Sequence, residues 1–292
     1  MKAPPFEYVR PTRLQDAIGF LAEHGADAKV LAGGQSLVPM LAFRMASPRF
    51  LVDIGCIPGL NRITIDNDGI RLGALVRWRD IERSVELQRA HPLLVEAIRH
   101  VAHYQIRNRG TVGGSLAHAD PAAEMPGIAV TCEAQIVIAG PRGQRTVPAA
   151  ELFAGALSTT LEPDELITEV RLPPWRHNRR WAFEEFARRR GDFALAGVAL
   201  FYDAGENGRA TNVHVGAIGV SDTPLRLAAT EAAIMDKTVT ETTIHEAGMA
   251  AAEAVNPPDD IHAPGEYRRA LLGVLTERAL ARAAELPLRE DK

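Results

Sequence analysis

The feature that most restricts the fold of this chain is a pair of adjacent glycines that occurs twice in similar surroundings. The first glycine segment is "VLAGGQSL" (residues 30–37), and the second lies in "TVGGSLAHADPAAE" (residues 111–124). Glycines between a strand and a helix allow backbone conformations and close approaches that a Cβ atom would block. Successive amide N–H groups can then converge on an anion near the positive end of a helix. The repetition leaves two interpretations open: a two-sided grip on a pyrophosphate, or two ordinary tight turns.

Neither glycine segment matches a common nucleotide-binding or nucleophile motif. The second has the order Gly110-x-x-Gly113-Gly114 instead of the G-x-G-x-x-G of dinucleotide-binding folds, and no P-loop lysine follows either pair. Ser36 and Ser115, which follow the two pairs, lie outside any G-x-S-x-G elbow. A nucleoside triphosphatase and a serine hydrolase are therefore disfavoured.

Two further groups of polar residues have two interpretations each. His118, Asp120 and Glu124 could act as acid–base groups, or they could pack their loop through hydrogen bonds. A basic run could dock a partner or contact a phosphate, or it could be a solvated face. Its members are Arg176, Arg179, Arg180, Arg188, Arg189 and Arg190.

Length, charge and cysteine content limit the class of protein. At 292 residues, two or three domains are expected, and a formal net charge of −4 argues against binding to nucleic acid or to an anionic membrane. The absence of a signal-like start and of any apolar run near about 18 residues predicts a cytoplasmic protein. Cys56 and Cys132 are too few and too far apart for an iron–sulfur cluster or a zinc site, and we expect both to be buried. Any redox role must then use an organic cofactor.

The predicted elements form two groups, separated by the linker "PPWRHNRR" (residues 173–180). The first group begins with a small α/β unit that ends near residue 57. It continues with a hairpin at "DNDG", one helix from Pro92 to about residue 108, a loop, a helix at 122–131 and a second hairpin. The second group has three strands, the last two joined at "AGENGR", and three helices that start near Pro224, Thr240 and Pro264.

Three motifs in this order resemble the FAD-binding medium subunit of molybdenum hydroxylases. They are "AGGQSLVPML", "IRNRGTVGGSLAHADPAAEMP" and "RRRGDFA". The family includes aerobic carbon monoxide dehydrogenase and is similar to the flavin domain of xanthine dehydrogenase. The resemblance extends over almost the whole chain.

The resemblance implies an α+β fold in two domains. Residues 1–175 would form the two-subdomain FAD-binding fold of the vanillyl-alcohol oxidase (PCMH) type, with subdomains of about 1–57 and 58–175. Residues 176–292 would form a domain like the C-terminal domain of the carbon monoxide dehydrogenase flavoprotein, a three-stranded antiparallel sheet with three helices.

The resemblance also implies which residues bind FAD. Both glycine segments would bind the pyrophosphate, an acidic residue would bind the cofactor, an aromatic residue would pack over the isoalloxazine ring, and a strand would touch the adenine end or the ring edge. In chain order these residues are Leu31, Ala32, Gly33, Gly34, Gln35, Ser36, Leu37, Thr111, Val112, Gly113, Gly114, Ser115, Glu124, Leu166, Ile167 and Phe193.

The chain departs from the family pattern at three places. Gln35 replaces a common histidine, and Phe193 replaces a common tyrosine. Glu184 and Glu185 occupy a region where some relatives have a lysine near the flavin, so a positive side chain that stabilises reduced flavin is in doubt here.

The function implied is electron relay, without catalytic side chains or a metal site in this chain. A large subunit with the molybdenum cofactor would oxidise the substrate. Two [2Fe-2S] clusters in a small subunit would pass electrons to FAD, and FAD would pass them to an external acceptor. The assembly would be a dimer of heterotrimers. The alternatives are a self-sufficient flavoprotein reductase or oxidase on the same fold, and a nucleotide-binding module without activity.

Overall fold

Three β-sheets, taken in chain order, organise the mixed α/β fold of the protein. The computed structural model describes residues 2–205 and 208–287. The first sheet is parallel, with the order β1-β3-β2, and lies beside two helices and a short 3-10 turn (Gly25–Asp27). Its elements are β1 (Glu7–Val9), α1 (Leu14–His24), β2 (Ala28–Leu31), α2 (Leu37–Ala42) and β3 (Phe50–Asp53).

The second sheet has five antiparallel strands in the order β4-β5-β10-β6-β7. Its strands are β4 (Ile63–Asp66), β5 (Gly69–Gly73), β6 (Gln135–Gly140), β7 (Gly143–Pro148) and β10 (Leu166–Leu172). A separate two-stranded ribbon consists of β8 (Phe153–Gly155) and β9 (Ser158–Thr159). The helices of this part are α3 (Trp78–Arg83), α4 (Val85–Ala90), α5 (Pro92–His100), α6 (Tyr104–Arg107), α7 (Val112–His118), α8 (Glu124–Thr131) and α9 (Ala149–Leu152).

The third sheet is antiparallel and has the order β11-β12-β13-β14. One face packs on the second-sheet core through Phe183, Phe201 and Ile218, and the other packs on three helices. Its elements are β11 (Arg179–Phe186), β12 (Ala196–Ala204), β13 (Ala210–Ile218), β14 (Leu225–Arg226), α10 (Ala228–Ile234), α11 (Glu241–Glu253) and α12 (Gly265–Ala283).

Several sequence predictions are confirmed in position. The hairpin at "DNDG" joins β4 to β5. Thr240 caps α11 by accepting a hydrogen bond from the Thr243 amide, and Pro264 is the N-cap of α12. Part of the predicted "AGENGR" turn, residues 206–207, lies outside the described residues. Within the described ranges, no helix is both long and apolar enough to cross a membrane.

Other predictions need correction. The predicted single helix from Pro92 breaks after His100, because Ala102 has a φ of 41°. The third sheet has a short fourth strand, β14, beside the three predicted ones. Cys132 is buried as expected, but Cys56 is exposed.

The most important correction concerns the second glycine segment, which we predicted to be a loop. It forms the first turn of α7, because Thr111 adopts an extended N-cap conformation and its hydroxyl accepts the Gly114 amide at 3.2 Å. This capping bond offsets the low helix propensity of two glycines.

The central contact between the second and third sheets is that of the buried helix α8 with β13. An added Cβ atom on Gly216 would lie 1.8 Å from Thr131 Oγ1. Thr131 Oγ1 itself donates to the Gly127 carbonyl at 2.7 Å. A glycine at position 216 therefore sets how closely the helix approaches the sheet.

We expect Gly216→Ala to destabilise the protein by about 1–3 kcal/mol, because the added methyl group forces α8 away from β13. Urea unfolding measures the change. Gly19→Ala in α1 is the matched control: no atom lies within 4 Å of its added Cβ, and the change should stabilise the helix by roughly 0.5–1 kcal/mol. Equal stability of Gly216→Ala and wild type would contradict this packing argument.

Candidate functional site

The first glycine segment connects β2 to α2 and leaves a row of amide groups without protein acceptors. Gly34 has a φ of +73°, which L side chains rarely adopt. The side-chain amide of Gln35 folds back and donates to the Gly33 carbonyl at 3.1 Å. Among the described residues, the backbone amides of Gly33, Gly34, Gln35 and Ser36 donate to no protein group. Unpaired successive N–H groups of this kind can receive an anion.

The second glycine segment differs, because its amides are already hydrogen-bonded. Val112 N donates to Val76 O at 3.0 Å, and Gly113 N donates to Ala74 O at 2.8 Å. The amide of Ser115 donates to the Thr111 carbonyl at 3.0 Å, beside the Thr111 capping bond. The expected convergence of amides on an anion therefore applies to the first segment. The second can offer hydroxyl groups and a closely approaching backbone.

The structure brings the two glycine segments into contact. A Cβ atom on Gly33 would lie 2.3 Å from Arg109 O and 3.0 Å from Gly110 Cα, immediately before the second segment. A Cβ atom on Gly114 would lie 3.8 Å from the Cβ of Ala32. The sequence repetition thus corresponds to one continuous site, and glycine is required where the backbones approach.

Two acidic side chains, the buried Glu124 and the half-buried Glu185, influence each other. Glu124 begins α8 and is only 8% exposed. Glu185 lies on β11, and its Oε2 atom is buried without a hydrogen-bond partner among the described residues. Burial, followed by the charge of Glu124, raises the pKa of Glu185 to about 9. Burial, together with Asp120, raises the pKa of Glu124 to about 7. The pair can hold a proton at neutral pH and has an oxygen available to an O–H or N–H donor.

The remaining predicted cofactor residues occupy different environments. Leu166 and Ile167 begin β10 and are buried, with Leu166 in the core of the first sheet and Ile167 in that of the second. Leu31 ends β2, and Leu37 begins α2. Phe193 lies between β11 and β12 and is 63% exposed, so its ring is available to a ligand.

The predicted histidine–carboxylate group does not form a hydrogen-bonded pair in the described part of the chain. The Asp120 carboxylate accepts the Ala122 amide at 2.9 Å and so stabilises its own turn. Burial lowers the pKa of the half-buried His118, which favours a neutral imidazole. The structure supports the packing interpretation of this loop.

The predicted basic surface is divided. Arg176 and Arg179 both bind Asp203, Arg180 binds Glu285, and Arg188 contacts His262. Arg189 and Arg190 are exposed. Within the described ranges, no group of three or more His, Cys, Asp or Glu residues could hold a metal ion.

Comparisons with known proteins match most of the chain to two family models. Residues 4–175 match the family model of the FAD binding domain in molybdopterin dehydrogenase, and residues 181–283 match that of the CO dehydrogenase flavoprotein C-terminal domain.

Relatives match over nearly their whole length. The 6-hydroxypseudooxynicotine dehydrogenase complex subunit alpha of Paenarthrobacter nicotinovorans is 39% identical, over 97% of this chain and 96% of that protein. The caffeine dehydrogenase subunit beta of Pseudomonas sp. (strain CBB1) is 38% identical, over 98% and 97%. A chain in the structure of carbon monoxide dehydrogenase from Hydrogenophaga pseudoflava has a TM-score of 0.94 and 38% identity, covering 97% of this chain and 98% of that one.

We expect Glu185→Gln to remove part of the pH dependence of stability of the FAD-free chain. The folded carboxyl holds a proton that the unfolded one, with a pKa of about 4.3, releases. The contribution of this carboxyl to the free energy of unfolding of wild type should therefore fall as pH rises from about 4.3 to about 9. Glutamine cannot ionise, so the variant should lose less stability over this window.

Urea unfolding at about pH 5, 7 and 9 measures this difference. Glu253→Gln, at an exposed position on α11, is the control and should follow wild type. A Glu185→Gln profile parallel to that of wild type would show that the buried carboxyl is not protonated in the folded chain.

Proposed function

The chain belongs to the family of FAD-binding medium subunits of molybdenum hydroxylase-type complexes, and from this premise we propose that it is the electron-relay subunit of such a complex. It would take electrons from [2Fe-2S] clusters in a small subunit and pass them to an external acceptor. The observation that carries the proposal is the row of unpaired amides at residues 33–36, in contact with the second glycine segment.

The residues present fit FAD at this site. The amides of Gly33, Gly34, Gln35 and Ser36 can donate to the phosphate oxygens, since no protein acceptor within the described chain uses them. Such hydrogen bonds to an ionised group are about twice as strong as those between neutral groups. FAD, when bound, supplies one- and two-electron redox chemistry that the side chains lack.

Residues around the amide row would complete the site. The Ser36 hydroxyl and, from the second segment, the hydroxyls of Thr111 and Ser115 offer further polar contacts. Val112 and Gly113 hold the start of α7 against Val76 and Ala74, which follow β5, and so keep that backbone near the cofactor. The buried side chains of Leu166 and Ile167 would exclude water, and the exposed ring of Phe193 would cover a flat apolar surface.

The Glu124–Glu185 pair would receive donor groups of the cofactor. Glu185 Oε2 lacks a partner among the described residues, and a buried acceptor without a donor costs about 1–3 kcal/mol. A hydroxyl or N–H group from FAD would remove that cost. Both carboxyls are held partly protonated by burial, so they need no neighbouring cation.

The division of the chain into domains and the assembly of the complex are part of the same proposal. We place the division between two domains at residue 175, with subdomains of about 1–57 and 58–175, as in the vanillyl-alcohol oxidase (PCMH) fold. The separate first and second sheets and the segment between β10 and β11 support this division. A dimer of heterotrimers in the cytoplasm remains the predicted assembly.

The substrate would be chosen by a large subunit with the molybdenum cofactor. Relatives of similar identity belong to complexes named for 6-hydroxypseudooxynicotine, for caffeine and for carbon monoxide. Such different substrates among similar medium subunits support a relay chain that does not contact the substrate.

We expect the isolated chain with FAD to be yellow and to show no turnover with NADPH or with alcohols. Its flavin absorbance should decrease when a chemically reduced small subunit of the same complex is added, because that subunit is the proposed donor. The measurement is anaerobic absorbance spectroscopy with excess reductant removed. The small subunit in its oxidised form is the control.

Robust turnover without partner subunits would replace the relay proposal with a self-sufficient flavoprotein reductase or oxidase. A colourless protein that does not take up FAD would instead indicate a module without redox activity.

A further inference from the structure

A cavity of about 270 Å³ lies where residues before position 175 meet the third sheet. Its lining differs from that of the proposed FAD site and contains several buried polar side chains. The residues are His91, Cys132, Glu133, Pro173, Pro174, Arg176, Arg179, Phe201, Asn212 and His214. We refer to it as the junction cavity.

Arg179 is the central cation of the junction cavity, and its environment fixes its orientation. Its side chain is only 8% exposed. Its guanidinium carbon lies over the rings of Trp175 and Phe201, at 4.7 and 4.1 Å from their centroids. Its Nε atom donates to Asp203 Oδ1 at 2.9 Å. Cation–π contacts and this ion pair therefore hold the guanidinium in place.

The other edge of the same guanidinium is available. Its Nη1 and Nη2 atoms donate to no acceptor among the described residues, although the residue lines the cavity. A guanidinium held on one edge presents two parallel N–H donors on the other, which is the arrangement that binds a carboxylate in bidentate fashion.

A second donor comes from His91. Its Nδ1 accepts the Leu94 amide at 3.2 Å, so Nε2 carries the proton of the neutral ring. Burial, followed by the positive charge of Arg179, lowers the pKa of His91 to about 3 and keeps the ring neutral. Nε2 has no partner within the described chain.

The other charged and titratable groups around the cavity are mostly paired. Arg176 reaches Asp203, which also accepts from Asn212. Glu133 binds Arg226, at 2.5 Å. Both ring nitrogens of His214 face acceptors, Thr131 O and Asn212 Oδ1, and its pKa is lowered by burial and by Arg226. The free donors are thus concentrated on Arg179 and His91.

The remaining wall is mainly apolar. Pro173 and Pro174 lie on the lining, and Phe201 offers the edge of its ring, because its two faces are covered by the His214 ring and the Arg179 guanidinium, at 4.4 and 4.1 Å. The volume is below that of sites for drug-sized ligands, about 300–1,000 Å³, which excludes a nucleotide.

We propose that the junction cavity binds a small aromatic monocarboxylate, with the carboxylate on the free edge of Arg179 and on His91 Nε2–H. The flat body of the ligand would lie along the two prolines and the edge of the Phe201 ring. Such a ligand would connect the parts of the chain before and after residue 175. It would therefore modulate the stability of this junction without contacting the FAD site.

The test uses the full chain loaded with FAD and benzoate as the probe, with binding measured by calorimetry. We expect one site, and we expect Arg179→Met to weaken binding by about tenfold to a hundredfold, because a hydrogen-bonded charge pair is lost. Arg180→Met is the matched control: Arg180 is adjacent on β11 but binds Glu285, so benzoate affinity should be unchanged.

A second variant keeps the proposal testable if Arg179→Met does not fold. His91→Asn retains an acceptor for the α5 amide but lacks the Nε2 donor, and it should weaken benzoate binding by several-fold to about tenfold. The flavin absorbance reports whether benzoate acts at the cofactor instead.

Three outcomes would overturn the proposal. They are no benzoate binding to wild type, equal binding in wild type and in both cavity variants, and inorganic phosphate binding as tightly as benzoate. The last result would show a simple anion site that makes no use of the apolar wall.

Discussion

The approach of the Gly33 backbone to the Arg109 carbonyl is the contact on which the rest of the site depends. A Cβ atom at this position would come within 2.3 Å of the carbonyl oxygen, so only glycine allows the two segments to meet. The second segment is held in turn by hydrogen bonds from its amides to the carbonyls of Ala74 and Val76, which follow β5. The amides of residues 112–115 in the second segment are therefore all hydrogen-bonded within the protein. The first segment lies against it with its own amides unpaired. This asymmetry suits a subunit that binds a cofactor and performs no bond chemistry with side chains.

Burial decides the charge state of the polar groups in both sites. Desolvation and mutual repulsion raise the pKa values of Glu124 and Glu185, so the pair can hold a proton at neutral pH in the proposed FAD site. In the junction cavity, Asp203 balances one edge of Arg179 and leaves the other edge available. The same basic run that supplies this buried arginine also supplies exposed arginines at 189 and 190. Position in the fold, and not sequence proximity, separates these roles.

Much of the fold could be predicted from local signals, and much of the site could not. Thr240 and Pro264 mark helix starts, and "DNDG" marks a hairpin, because caps and turns depend on nearby residues. The state of the second glycine segment depends on carbonyls of Ala74 and Val76, more than 30 residues earlier in the chain, so its amides looked free in the sequence. The burial of Arg179 depends likewise on Trp175 and Phe201 from separate elements. The family pattern identified the two segments as partners, but only the backbone geometry shows which of them has free donors.

Amide hydrogen exchange with and without FAD tests this central claim most directly. Without FAD, the amides of residues 33–36 should exchange fast, since no protein acceptor within the described chain protects them. On binding FAD they should become protected, while the amides of residues 112–115 should exchange slowly in both states. Unchanged exchange at residues 33–36 on saturation with FAD, or new protection at residues 112–115 alone, would contradict the account.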